Sequence, residues 1–191
     1  MLLENEWAMS LSVRVLPVTP ANQLMPELIP VDDVVLNQLV DAAITDASAD
    51  EVTPPLSAAN EWTPERIAWL RGYHRASREG LAGPSGEATW AIVASGEVIG
   101  SVRLKLTDQP HVFETGIWLT RSSRGHGIGS AVMSVVLLEA TAAGASTVRA
   151  ETAESNGGAL SVLRRLGFRF LPAEEGRVHA LLSLDATNQT N

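Results

Sequence analysis

Apolar residues recur at helical spacing in two segments of the N-terminal half of the chain. The first segment extends to Ile44 and follows Asp32 and Asp33, either of which can serve as the N-cap of a helix. The second follows Thr63, a favoured N-cap residue, and its pattern ends near Gly80. The sequence therefore predicts two amphipathic helices in this half.

The residues around these helices predict one strand and two irregular connections. Ser12–Val18 alternates apolar and other residues, which indicates a first strand. Thr45–Asn60 contains two consecutive prolines and several small polar residues, which is typical of a loop. Gly83–Gly86 has the composition of a turn.

In the C-terminal half, short apolar segments alternate with turn residues, and this pattern is typical of a sheet. The predicted strands are Thr89–Ala94, Val98–Leu106, Val112–Leu119, Thr147–Glu151, Phe168–Leu171 and Arg177–Leu184. Two helices are predicted among them, an apolar one that ends at Ala143 and a short one over Gly157–Leu166. Hairpins come first and a β-α-β unit late, so the fold class is α+β.

Composition limits what the chain does. Its 191 residues predict one domain over 12–184, with an N-terminal extension over 1–11 and a disordered tail over 185–191. The absence of cysteine excludes a disulfide framework, a thiolate zinc site and a cysteine nucleophile. With 22 acidic and 14 basic residues the net charge is −8, and no basic stripe is present, which argues against a nucleic-acid partner. An acidic surface favours the approach of cationic molecules.

No segment has the features of a membrane or targeting element. The first ten residues carry two glutamates and no basic residue, unlike a signal peptide. The longest apolar stretch, Ala131–Ala145, is too short to span a bilayer. We therefore expect a soluble, cytoplasmic protein without a membrane partner. The sequence leaves its oligomeric state open, a homodimer included.

The glycine-rich segment Arg124–Gly129 lies between a predicted strand and a predicted helix, an arrangement that suits phosphate binding. Two common nucleotide sites do not fit. The third glycine of a dinucleotide fingerprint would fall on Val132 or Ser130, and the lysine of a P-loop is missing.

Three motifs in order resemble the GNAT superfamily of acyl-CoA-dependent N-acyltransferases. Arg124, Gly127 and Gly129 match its pyrophosphate loop, and the stretch from Asn156 to Phe168 is similar to its Asn-x-x-Ala/Ser helix ending in Leu-Gly-Phe. The segment from Glu114 to Leu119 is similar to the strand before the loop in the RimJ/RimL-like branch, and the resemblance covers roughly residues 88 to 184.

The resemblance implies a mixed, mostly antiparallel sheet of six or seven strands with helices on both faces. Its two central strands, Val112–Leu119 and Thr147–Glu151, should separate to admit the pantetheine arm of acetyl-CoA. The residues that it implies for binding this co-substrate are Trp118, Leu119, Arg124, Gly125, His126, Gly127, Ile128, Gly129, Ser130 and Asn156. An alternative for Asn156 is the N-cap of the following helix.

The implied reaction is direct acetyl transfer to a primary amine of a small molecule or a protein N-terminus, without a metal. Glu114 is the candidate base, and Ser155 is a candidate proton donor to the thiolate. Leu163 stands where many family members have a tyrosine that protonates CoA. That replacement supports the alternative of a non-catalytic acyl-CoA sensor or regulatory domain. Trp62, Trp69, Tyr73 and Trp90 belong either to the core or to an acceptor pocket.

The acceptor amine decides how much base catalysis is needed. A lysine side chain, with a pKa of about 10.4, is neutral in well under about 0.1% of molecules at pH 7. An α-amino group, with a pKa of about 7.7–8.0, is already roughly 10–15% neutral. A modest base therefore favours an acceptor of low pKa, such as an α-amine.

Overall fold

The computed structural model describes residues 25–56, 60–172 and 175–184. The predicted strand Ser12–Val18, the extension over 1–11 and the tail over 185–191 lie outside these residues. The strands are β1 Glu27–Pro30, β2 Glu87–Ala94, β3 Glu97–Leu106, β4 Val112–Leu119, β5 Thr147–Ala153, β6 Arg169–Phe170 and β7 Arg177–Ser183. The helices are α1 Asp33–Asp46, α2 Ala49–Val52, α3 Pro64–Ala76, α4 Ile128–Ala142 and α5 Gly157–Arg165.

The two N-terminal helices begin where the capping residues predict. Asp32 accepts the Val35 N–H at 2.8 Å before α1, and Thr63 accepts the Arg66 N–H at 3.3 Å before α3. The end of α3 differs from the prediction, because the helix stops at Ala76 rather than near Gly80. Gly80 has φ +69°, a conformation that a right-handed helix does not contain.

Two short elements differ from the predictions. The loop prediction for Thr45–Asn60 is wrong over α2, where the Ser48 N–H bonds the Glu51 carboxylate at 3.4 Å and the Asn60 Oδ1 accepts the Asp50 N–H at 3.0 Å. β1 was not predicted, since four residues ending in proline show no alternation. Among the described residues it pairs only with β2, and proline is tolerated on such an edge strand.

In the described part of the chain the sheet has seven strands in the order β1-β2-β3-β4-β5-β7-β6. Of these strands, only β4 and β5 pair in parallel, and the other five pairs are antiparallel. The predicted hairpin joins β2 and β3 through Ser95 and Gly96, both with positive φ (54° and 81°), as a two-residue type I′ turn requires. The predicted mixed, mostly antiparallel sheet is confirmed.

Helices cover both faces of the sheet, as predicted. One apolar cluster joins α1 and α3 to the sheet, and the other joins α4 and α5 to its opposite face. The larger apolar side chains of these helices with at most 1% exposure are Leu36, Leu39, Val40, Leu70, Val132, Met133 and Val136. Within the described ranges, no helix is both long enough and apolar enough to cross a membrane.

Gly100 on β3 leaves no room for a side chain beside the end of β4. It pairs with Leu119, and a Cβ at this position would overlap the Trp118 carbonyl oxygen and lie 3.0 Å from the Leu119 Cα. Only glycine fits here without moving the end of β4.

The buried histidine of α3 makes the stability of the protein sensitive to acid. His74 is 1% exposed, its Nδ1 lies 3.1 Å from the Thr89 hydroxyl, and burial lowers its pKa to about 4. The unfolded chain binds this proton near pH 6.5, so stability falls as the pH drops from about 6.5 towards 4. Between pH 7 and pH 5 the free energy of unfolding of the wild type should fall by about 2 kcal/mol more than that of a His74→Gln variant.

Urea unfolding of both proteins at pH 7 and pH 5 measures this difference. His111→Gln, at an exposed histidine, is the control and should keep the wild-type pH dependence. An equal loss of stability in the wild type and in His74→Gln would contradict the assignment.

Candidate active site

The parallel strands at the centre of the sheet separate before either of them ends. The last pair joins Thr115 to Ala150. Beyond it, β4 continues to Leu119 and β5 to Ala153 without pairing with each other. We call the space between these two unpaired ends the β4–β5 gap. The predicted separation of the central strands is present.

The backbone of β4 directs N–H groups into this gap. Directly after β4, Thr120 donates its N–H to the Ile99 carbonyl of β3 at 2.8 Å. Because N–H groups alternate between the two edges of a strand, the Trp118 N–H lies on the same β3 side. The N–H groups of Ile117 and Leu119 therefore face the β4–β5 gap, where they can donate to a carbonyl oxygen.

The glycine-rich loop after β4 leaves backbone donors exposed at the start of α4. Gly125 and Gly127 have φ near +80°, which side-chain-bearing residues rarely adopt, and a Cβ at either would meet no atom within 4 Å. The first ladder bond of α4 runs from the Ala131 N–H to the Gly127 carbonyl at 3.1 Å. The N–H groups of residues 128–130 precede this ladder and, with the helix dipole, suit an anion.

The Arg124 side chain binds Glu51 of α2 and does not point into the space beside the glycine loop where an anion would bind. Its guanidinium bonds both carboxylate oxygens of Glu51, at 3.1 and 2.8 Å, and the Leu119 carbonyl at 3.0 and 2.8 Å. This bond with Arg124 lowers the pKa of Glu51. Asp46 at the end of α1 likewise accepts the Ser122 N–H and hydroxyl at 2.9 and 2.6 Å. Binding of a ligand by Arg124 stays a prediction.

The remaining predicted site residues lie around the loop and at the start of α5. The Asn156 side chain accepts the Ala159 N–H at 3.0 Å, so Asn156 is the N-cap of α5. Ser155 precedes it and is exposed, as is His126 in the loop. Leu163, at the position of the missing tyrosine, is buried in the α4–α5 cluster at 5% exposure.

The side chains at the end of β4 enter different layers. Trp118 packs against the α1–α3 cluster, and Leu119 packs against the α4–α5 cluster. A Cβ on Gly129 would lie 3.3 Å from the Val162 side chain and 3.8 Å from Leu119. This glycine therefore lets α4 approach α5 beside the β4–β5 gap.

Glu114 is held between two arginines that the sequence did not single out. Its Oε1 lies 2.5 Å from the Arg103 Nη2, and its Oε2 lies 2.7 Å from the Arg149 Nη2. Partial burial opposes ionisation, but the two guanidinium groups outweigh it and lower the pKa of Glu114. The carboxylate is therefore ionised throughout the neutral pH range and is a weak proton acceptor.

The ionic network continues to α3. Arg103 lies 3.4 Å from Glu87, which also accepts the Tyr73 hydroxyl at 2.6 Å. Burial and the Glu87 carboxylate raise the pKa of Tyr73, so its hydroxyl stays protonated and donates. Trp69 stacks on the Tyr73 ring at 5.1 Å between centroids. Arg103 and Arg149 lie on the face of Glu114 because β3, β4 and β5 pair in this register, which the sequence alone does not show.

Comparison with known proteins identifies the family. The model of the acetyltransferase (GNAT) family matches residues 56–168, which include the β4–β5 gap, the glycine loop and α5. The chain belongs to the GNAT acetyltransferase family. Curated proteins give no match to it.

Solved GNAT structures share this fold at low sequence identity. The GNAT domain of S. lividans PAT is 18% identical, with a TM-score of 0.64 over 83% of this chain and 89% of that one. The Campylobacter jejuni N-acetyltransferase PseH, solved with acetyl coenzyme A, is 14% identical, with a TM-score of 0.56 over 84% and 99%. A Salmonella typhimurium acetyl transferase that modifies the N-terminal serine of ribosomal protein L7/L12 is 16% identical, with a TM-score of 0.64 over 85% and 96%.

Proposed function

We propose that this GNAT protein transfers an acetyl group from acetyl-CoA to a primary amine. The observation that carries the proposal is the β4–β5 gap, which ends at a glycine loop with exposed backbone donors. Both features lie inside the part of the chain that the GNAT model matches. The structure of PseH with acetyl coenzyme A supports the choice of donor.

The loop fits a pyrophosphate. The N–H groups from Gly125 to Ser130 would bind its oxygens at the positive end of α4, in the open space that the two left-handed glycines leave. The β4–β5 gap, bordered by Trp118 and Leu119 on one side and followed by Ser155 and Asn156 on the other, would hold the pantetheine arm. When bound, acetyl-CoA supplies an activated thioester.

The chain then orients the reactants. The Leu119 N–H, which faces the β4–β5 gap, would donate to the thioester oxygen and stabilise the charge that develops there. The amine nitrogen forms the new C–N bond as the C–S bond breaks, loses one proton, and CoA leaves as the thiol. Glu114 is the proposed proton acceptor, directly or through water, and Ser155 the proposed donor to sulfur.

The lowered pKa of Glu114 bears on the acceptor. A weakly basic carboxylate contributes most when the amine is already neutral, so the site suits an α-amine better than a lysine side chain. The Salmonella typhimurium acetyl transferase, which modifies an N-terminal serine, supports this acceptor type. The proposed place in the RimJ/RimL-like branch rests on the resemblance of the segment from Glu114 to Leu119.

Calorimetric titration with acetyl-CoA, with NAD as the control ligand, tests the binding site. We expect micromolar binding of acetyl-CoA alone, followed by CoA release when an α-amine is added. No binding of acetyl-CoA would overturn the proposal. Tight binding of acetyl-CoA without CoA release in the presence of any amine would instead support the acyl-CoA sensor. The buried Leu163, which replaces a tyrosine, favours that alternative.

A further inference from the structure

On the sheet face that carries α1 and α3, the part formed by β5 and β7 has no helix over it among the described residues. The apolar cluster beneath α1 and α3 includes no side chain from β5 or β7. Arg149 on β5 and Arg177 on β7 are 45% and 55% exposed on this face. A ligand can therefore reach this part of the sheet from solvent.

This exposed part adjoins the β4–β5 gap. Glu151 is the first residue of β5 after the last pair with β4, and it lies on the same face as Arg149, two residues earlier. Arg177 of β7 contacts Glu151, whereas Arg149 contacts Glu114 of β4. Both ion pairs thus lie near the place where β4 and β5 separate, and the proposed function puts the thioester that the amine attacks in the gap that opens there.

The acids beside the β4–β5 gap are paired with arginines, although the chain as a whole is acidic. The paired charged side chains are Glu87, Glu114, Glu151, Arg103, Arg149 and Arg177. Lys105 and Arg169 lie on the same face, so this part of the sheet is not acidic although the chain carries a net charge of −8. A polycationic acceptor such as a polyamine would have to displace arginines from these carboxylates. The face therefore lacks the unpaired negative charge that would select a polycation.

Arg177 has donors to spare for an anion. Its Nε contacts the Glu151 carboxylate, and within the described part of the chain its two terminal nitrogens have no hydrogen-bond partner. Those nitrogens carry four of the five guanidinium N–H groups, in the planar arrangement that binds a carboxylate through two parallel bonds. The His179 Nδ1, 3.6 Å from the other Glu151 oxygen, lies on the same face.

Building on the proposed function, we propose that the acceptor is a primary amine that also carries a carboxylate. Arg177 binds the carboxylate while the amine reaches the thioester at the β4–β5 gap. A free amino acid and an acidic peptide N-terminus share this chemistry. The net negative charge of the whole chain favours the approach of cations, but that expectation does not apply to this face.

Matched acceptors test the proposal by the rate of CoA release from acetyl-CoA. The first pair, alanyl-aspartyl-amide and alanyl-asparaginyl-amide, has the same α-amine and differs in one carboxylate. The second pair, alanine and alaninamide, tests a free amino acid. Because their amines differ in pKa, the rates of the second pair are compared per molecule of neutral amine. We expect the carboxylate-bearing member of at least one pair to have about tenfold higher kcat/KM or more. Preference in the first pair alone identifies a peptide, and preference in the second alone identifies an amino acid.

The arginine variants test which residue is responsible. Arg177→Gln should reduce the preference to within about twofold. Arg71→Gln, which removes the same charge from α3 where Arg71 bonds Asn37, should keep it. Equal kcat/KM within both pairs, faster transfer to spermidine, or an undiminished preference in Arg177→Gln would overturn the proposal. Calorimetry with acetyl-CoA on the same samples separates this result from failure of the proposed function, in which acetyl-CoA itself does not bind.

Discussion

Replacing Gly100 with alanine is expected to destabilise the protein by about 3 kcal/mol. The added Cβ would overlap the Trp118 carbonyl oxygen and would lie 3.0 Å from the Leu119 Cα. Both are backbone atoms, which no side-chain rotation can move. Relief requires the end of β4 to shift away from β3, which weakens the pairing of Gly100 with Leu119. The same shift would move the Leu119 N–H, so activity should fall together with stability.

Urea unfolding monitored by tryptophan fluorescence measures this loss. Gly72→Ala is the matched control, because Gly72 is exposed within α3 and a Cβ there meets no atom within 4 Å. Alanine is the better helix former, so this control should gain about 0.5–1 kcal/mol. Two glycine-to-alanine changes of opposite sign are thus expected, and a neutral Gly100→Ala would show that β3 and β4 do not approach each other as described.

A glutamate in place of Ser130 is expected to weaken acetyl-CoA binding by about 100-fold or more. Ser130 lies in the first turn of α4, where the proposed pyrophosphate site requires backbone N–H groups and positive potential. A carboxylate there repels the phosphates at short range, at a cost of several kcal/mol. The same carboxylate interacts favourably with the N-terminus of α4, so the fold should be unchanged or slightly more stable.

Ser130→Gln is the control for size, because glutamine has nearly the shape of glutamate without its charge. Its affinity for acetyl-CoA should stay within about tenfold of the wild type, since no like-charge contact is introduced. Calorimetry measures both affinities, and thermal unfolding verifies the folded state. Equal weakening by glutamate and glutamine would indicate a steric effect and would remove the support for a phosphate at this helix end.

Local signals in the sequence account for much of the fold. Asp32 and Thr63 predict where two helices begin because capping depends on residues within one turn. β1 and α2 were missed because both are only four residues long. β1 needs β2 beside it, and α2 adds contacts with Asn60 and the Arg124–Glu51 ion pair to its local Ser48–Glu51 bond.

The backbone features of the candidate site were predicted from the sequence, but the ion pairs of its charged side chains were not. The glycine loop follows from a contiguous motif, which a sequence shows directly, whereas the separation of the strands follows from the resemblance to the GNAT family. The two arginines on Glu114 come from β3 and β5, and they meet it only because of the register in which three strands pair. Arg124 shows the same limit, since its bond to Glu51 joins residues 73 positions apart.

The β4–β5 gap also divides the sheet mechanically. Among the described residues, only four strand pairs, from Val112–Thr147 to Thr115–Ala150, connect strands β1–β4 with strands β5–β7. Helix α4, which packs on β3 and contacts α5, also links the two halves. A ligand bound along the β4–β5 gap would hydrogen-bond to both halves and add to the four strand pairs that join them. Its binding energy would therefore stabilise the association of the two halves of the sheet.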